Sequence, residues 1–100
     1  MREYFDALLE ELPDAKPGKM FGKDTFRLGR RPFAMFYQDH LVVKLAEPEN
    51  SEARQIPDSF WFAPMGEERP MRNWVCIPFR EFAEWVHWAR IAQEHLIAEG

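Results

Sequence analysis

The chain has 100 residues, 46% hydrophobic and 30% charged, with a formal net charge of −4; that is one domain able to bury a core, and it excludes intrinsic disorder. No apolar run approaches the ~20 residues of a membrane span, and the acid-rich start MREYFDALLEELP is unlike a signal peptide. A single cysteine, Cys76, excludes an internal disulfide and a cysteine-cluster zinc site, so a soluble cytoplasmic protein is expected.

Phe5, Leu8, Leu9 and Leu12 follow the spacing of one helical face. Pro13 ends that helix at Leu12, because proline disfavours helix in the residue before it. PDAKPGK then reads as a turn-rich connection. KMFGK, DTFRLG, PFAMFYQ and HLVVKLA are short β-rich runs punctuated by glycine, proline or aspartate. LGRRP and YQDH have hairpin lengths, which predicts an antiparallel meander. EPENSEARQIP reads as a short helix between two prolines. SFWFAP and NWVCIP are further strands, joined by the loop MGEERPMR. From Phe79 a long terminal helix is expected, with an apolar arc of Phe79, Phe82, Ala83, Val86, Ala89 and Leu96, widened by Trp85 and Ala92, with Trp88 at its edge. The expected order is α-β-β-β-α-β-β-α, an α+β fold of two layers: a five-stranded antiparallel sheet with helices on one face.

Several of these motifs carry a resemblance. KMFG, a glycine turn, FAM, a polar turn with Asp39, then LVVK resembles the N-terminal domain of the TfoX/Sxy competence-regulator family. FAPMGEERPMRNWVCIP, followed by a Trp-containing helix, is similar to the second half of that domain; YjbR-like domains are a more distant match. The resemblance runs from about Lys19 onward. It implies a five-stranded antiparallel sheet with helices on one side, and a role alongside other proteins in transcription. Such regulators usually carry a second, C-terminal domain, whereas this chain reads as a single domain over residues 1–100. A competence role therefore does not transfer, and the family supplies no catalytic residues.

The charge is unevenly placed. Residues 16–46 hold seven bases against two acids, while residues 1–15 and 47–70 each carry −4. Within that basic segment, which starts at Lys16, the candidate nucleic-acid contacts are Lys19, Lys23, Arg27, Arg30, Arg31 and Lys44, with neighbouring rings able to stack on bases. Cations at hairpin tips also serve simply to keep turns solvated, and that is the favoured reading. Cys76, on a strand between Val75 and Ile77, reads as a buried structural thiol. Glu84 and His87 spell Glu-x-x-His but lack the second motif of a di-iron bundle, and His95 is too far around the helix from His87 for a paired metal site. No catalytic constellation, cofactor site or metal site is identified.

Aromatic residues make up 15% of the chain, four of them tryptophan. Tryptophan and arginine are favoured interface anchors, so the candidate protein-interface residues are Trp61, Arg69, Met71, Arg72 and Trp88. The expected function is a non-enzymatic, regulatory protein-binding module, self-association included. Nucleic-acid binding through Lys16–Lys44 is the alternative, and a small-molecule or enzymatic pocket near Cys76 ranks third.

Overall fold

The N-terminal apolar face folds as expected and tightens as it ends. In a computed structural model describing residues 2–99, α1 (Arg2–Ala7) runs into a 3₁₀ segment, Leu8–Glu11, that stops before Pro13. Three hairpins follow: β1 (Lys16–Met20), β2 (Lys23–Leu28), β3 (Arg31–Tyr37) and β4 (His40–Lys44). Then come α2 (Glu49–Arg54), β5 (Phe60–Phe62), β6 (Met71–Pro78), a second 3₁₀ segment (Phe79–Glu84) and α3 (Trp85–Ala98). All pairings are antiparallel, in the order β1-β2-β3-β4-β6-β5.

The α+β class therefore holds, but the sheet has six strands rather than five. The difference lies in KMFGK, which is not one strand run. Met20 pairs with Lys23, and Phe21 and Gly22 form the turn with φ of 53° and 73°, the pair of positive values a type I′ hairpin needs. The extra strand is Lys16–Met20, taken from what reads in sequence as loop. Gln38 and Asp39 make a like turn, at 45° and 60°. Between Leu28 and Arg31 only Gly29 is left-handed, at 58°, placing glycine first as in a type II′ turn.

The terminal helix also differs. Glu81 leaves helical geometry (φ −97°, ψ 21°), so Phe79–Glu84 forms a separate 3₁₀ segment. Phe82 and Ala83 are turned outward as a result, while Trp85, Trp88, Ala89, Ala92, Gln93 and Leu96 face the sheet.

Helices cover one sheet face only. There Phe5 stacks on Phe26 with ring centres 4.2 Å apart, Leu8 and Leu12 meet α3 residues, and Ala53 brings α2 into the same core. The Trp85 indole N–H donates to the Pro78 carbonyl (3.2 Å), and the Gln93 side-chain amide donates to the Pro13 carbonyl, so neither polar group is buried without a partner. The opposite, open face is closed by its own side chains: Met35, Val42, Phe62, Trp74 and Cys76 are buried there, flanked by Met20, Tyr37 and Met71.

The sheet must curl for this to occur. Four strand steps separate β2 from β5, about 19 Å across a flat sheet. Yet the Phe21 ring, in the turn before β2, lies 6.1 Å from that of Phe62, and Tyr37 lies 5.2 Å from it.

Because Phe5 is fully buried and joins α1 to β2, Phe5→Ala should lower the unfolding free energy by about 3–5 kcal/mol. The check is urea unfolding of the parent and the variant followed by circular dichroism; a loss below about 1 kcal/mol would contradict the stacked arrangement.

Candidate binding site

The aromatic run Phe60-Trp61-Phe62 suits a pleated, half-buried strand and forms the sheet edge beyond β6. Alternation divides it. Phe60 lies opposite Cys76 on the open face, 39% exposed and 5.1 Å from the His40 ring. Trp61 turns to the helix side, toward α2. Its indole N–H donates to Asn50 Oδ1 (3.3 Å), and Asn50 Nδ2 donates to the carbonyls of Leu45 (3.0 Å) and Arg72 (2.8 Å). Asn50 is only 5% exposed. One buried amide thus ties α2, the end of β4, the start of β6 and β5 together.

Two guanidinium groups flank the indole. Arg54 lies 4.6 Å and Arg72 5.3 Å from the ring centre, within the range of cation–π attraction. Arg54 Nη1 also donates to the Ser59 carbonyl at 3.2 Å, while its Nε is buried without a hydrogen-bond partner. Among the described residues neither arginine has a carboxylate partner, in contrast to Arg2, Arg31, Arg80 and Arg90. A cleft of about 560 Å³ adjoins this cluster, lined by Trp61 and Arg54 on one side of β5, Phe60, Tyr37 and Gln38 on the other, and the β5–β6 loop with Glu67. Because β5 is bonded to β6 along its inner edge, a cleft touching both its faces passes along its free edge.

The proposed interface residues are only partly brought together. Trp61 and Arg72 meet. Met71 starts β6 opposite Phe62 and is half-buried, and Arg69 is exposed in the preceding loop. Trp88, on the sheet-facing side of α3, is 8% exposed and belongs to the core, so it does not contribute to the β5 surface. Phe60, Arg54 and Asn50 were not marked by the sequence. The alternation of FWF announces that its rings split between two faces, but only the edge position of β5 leaves Phe60 uncovered.

The basic segment does not form one patch. Register places Lys16, Lys23, Arg27 and Lys44 on the open face with Met35 and Val42, whereas Lys19 faces the helix side. There Lys19 and Arg2 hold Asp24 at 2.6 and 2.8 Å. Lys23 lies 5.2 Å above the Tyr37 ring, and Arg27 lies across Gly18 to donate to the Gly29 carbonyl at 2.6 Å. Arg30 is at a turn, exposed, and Arg31 pairs with Glu99 at 3.1 Å.

His95 is engaged on both nitrogens. Nδ1 accepts from the Ala46 backbone N–H at 3.1 Å, which leaves Nε2 as the protonated nitrogen, 3.3 Å from Glu49 Oε1. It borders a recess of about 130 Å³ near Lys44 and Asn73. Among the described residues no group of three or more His, Cys, Asp or Glu side chains is placed to hold a metal ion, and no helix is long and apolar enough to cross a membrane. Cys76 faces the open-face cluster rather than α3, fully buried, and burial pushes its thiol up to about 12. No protein-family model, curated protein or solved structure matches the chain.

A thiol held protonated and covered reacts only when the sheet opens. Cys76 should therefore resist a disulfide reagent at pH 8 in native buffer and react fully in denaturant; fast native labelling, read by absorbance, would contradict its placement.

The Lys19 hydrogen bond, aided by Arg2, lowers the Asp24 pKa below its ordinary value. A carboxylate whose folded value is depressed contributes stability above the unfolded value, near pH 4, and loses it as pH falls through the folded value. Asp24→Asn should thus cost about 1 kcal/mol or less at pH 7, since its partners are exposed. The gap to the parent should shrink below about pH 4 in urea titrations.

Proposed function

We propose that the chain is a non-enzymatic protein-binding module of the TfoX N-terminal kind, acting in regulation through the cleft and free edge at β5. The observation that carries this reading is the cluster itself: an aromatic edge strand, a cleft along it, and two arginines on Trp61 without carboxylate partners. Arginine and tryptophan at a concave, partly apolar site are the usual anchors of protein recognition. The sequence resemblance supports the family reading and a link to transcription.

The test is selection of ligands from a random peptide library displayed on phage, against the folded protein. Peptides should be enriched whose binding is lost in Phe60→Ala or Trp61→Ala and kept in the double variant Lys16→Glu, Arg27→Glu. Absence of enrichment, or ligands indifferent to β5, would overturn the reading.

A second reading rests on the shared open-face placement of Lys16, Lys23, Arg27 and Lys44, with Lys23 over the Tyr37 ring. On this reading the face binds nucleic acid. Titration into labelled single-stranded and duplex DNA should then show affinity falling linearly on a log–log salt plot, with the Lys16→Glu, Arg27→Glu variant weaker. No binding at low salt excludes it.

A further inference from the structure

The two edges of the sheet are built differently. β1, Lys16–Met20, reads KPGKM: two lysines flank a proline that offers no N–H, the usual protection against pairing with another strand. β5 reads FWF, without charge or proline. Among the described residues, no hydrogen bond outside the β5–β6 pairing reaches the backbone of Phe60–Phe62. Phe62 is fully buried, but Phe60 and Trp61 keep exposed surface and their outer donors and acceptors are unpaired, the arrangement by which an exposed edge takes up an extended peptide.

Side-chain alternation then determines what such a strand must carry. A residue lying opposite Trp61 points to the helix side, where Arg54 and Arg72 lie within 4.6 and 5.3 Å of the indole centre. Its two neighbours point to the open face, toward Phe60 and Tyr37. The first position favours a carboxylate, because arginine forks match carboxylates and these two have none. The flanking positions favour apolar groups.

We propose that β5 binds an extended acidic peptide as a seventh strand, with a carboxylate held by Arg54 and Arg72 beside Trp61 and apolar neighbours against Phe60 and Tyr37. This rests on the binding-module reading and specifies its ligand. Among the described residues the one carboxylate lining the cleft, Glu67, opposes such a ligand and so limits its affinity.

The probe is Val-Glu-Val-Glu-Val-amide carrying fluorescein on its N-terminus through a β-alanine spacer, followed by anisotropy and by amide shifts of β5 in nuclear magnetic resonance. The glutamine analogue, Arg72→Gln and Arg54→Gln should each weaken binding about tenfold, the scale of a lost charge-assisted hydrogen bond. Methylating two adjacent peptide nitrogens should abolish binding, and Glu67→Gln should tighten it. Arg54 also supports Ser59, so its variant counts only if thermal unfolding matches the parent; exposed Arg72 supplies the independent arm.

Equal affinity for the glutamine or N-methylated peptide overturns this proposal. So does an oligonucleotide that displaces the peptide through Arg54 and Arg72, or dimerisation through β5 that excludes it. If phage-selected peptides bind β5 yet acidity and backbone bonding prove irrelevant, only this inference fails. If nothing binds β5, the module reading fails with it.

Discussion

A six-stranded sheet with helices on one face must dispose of the other face, and here curvature does it. Without a second helical layer, Met35, Val42, Trp74 and Cys76 would lie exposed as an apolar patch, of the kind that drives association. Curling brings Phe62 from one edge toward Phe21 and Tyr37 from the far side, so these side chains form a small second core. Three consecutive two-residue hairpins permit this, since their left-handed turn residues match the right-handed strand twist. Phe21 itself adopts φ of 53°, a conformation costing a non-glycine residue about 1–2 kcal/mol. Its ring, half exposed, lies 6.1 Å from that of Phe62.

The curl also explains which parts of the fold were legible in the sequence. The helix spacing of Phe5, Leu8 and Leu12 and the alternation of Leu41, Val43 and Leu45 are local signals, and those residues are buried as their period requires. The sixth strand was hidden because its residues, KPGKM, have poor strand propensity; long-range pairing with β2 makes it a strand. Trp88 illustrates the opposite case. A helix continuous from Phe79 places it at the edge of the arc, but the break at Glu81 rotates α3 so that it is covered. A 3₁₀ turn advances side chains faster around the axis than an α-turn, and no residue in FREFAE announces the change.

Electrostatics was the least legible layer. A stretch with seven bases suggests one surface, yet the two-residue period of strands sends Lys19 to the helices and Lys16, Lys23 and Arg27 to the open face. The helix-side cation meets an acid: Lys19 meets Asp24, as do Arg31 and Glu99 or Arg90 and Glu11 between more distant segments. Charge summed along a sequence says little about such pairings, because they join segments up to 79 residues apart.

The candidate site follows from what the curl leaves uncovered. Closing the open face uses Phe62, but the same strand must then turn Trp61 outward past β6, onto α2. An indole there would bury its N–H at a cost of about 1–3 kcal/mol unless it is bonded. Asn50 supplies the acceptor and spends both its own donors on Leu45 and Arg72, which fixes the ring against the end of the sheet. A fixed, electron-rich face attracts cations, and Arg54 and Arg72 occupy it. The indole stabilises these guanidiniums without neutralising them. Positive charge, an aromatic surface and an unpaired strand edge therefore meet at β5 because each results from the constraint that precedes it.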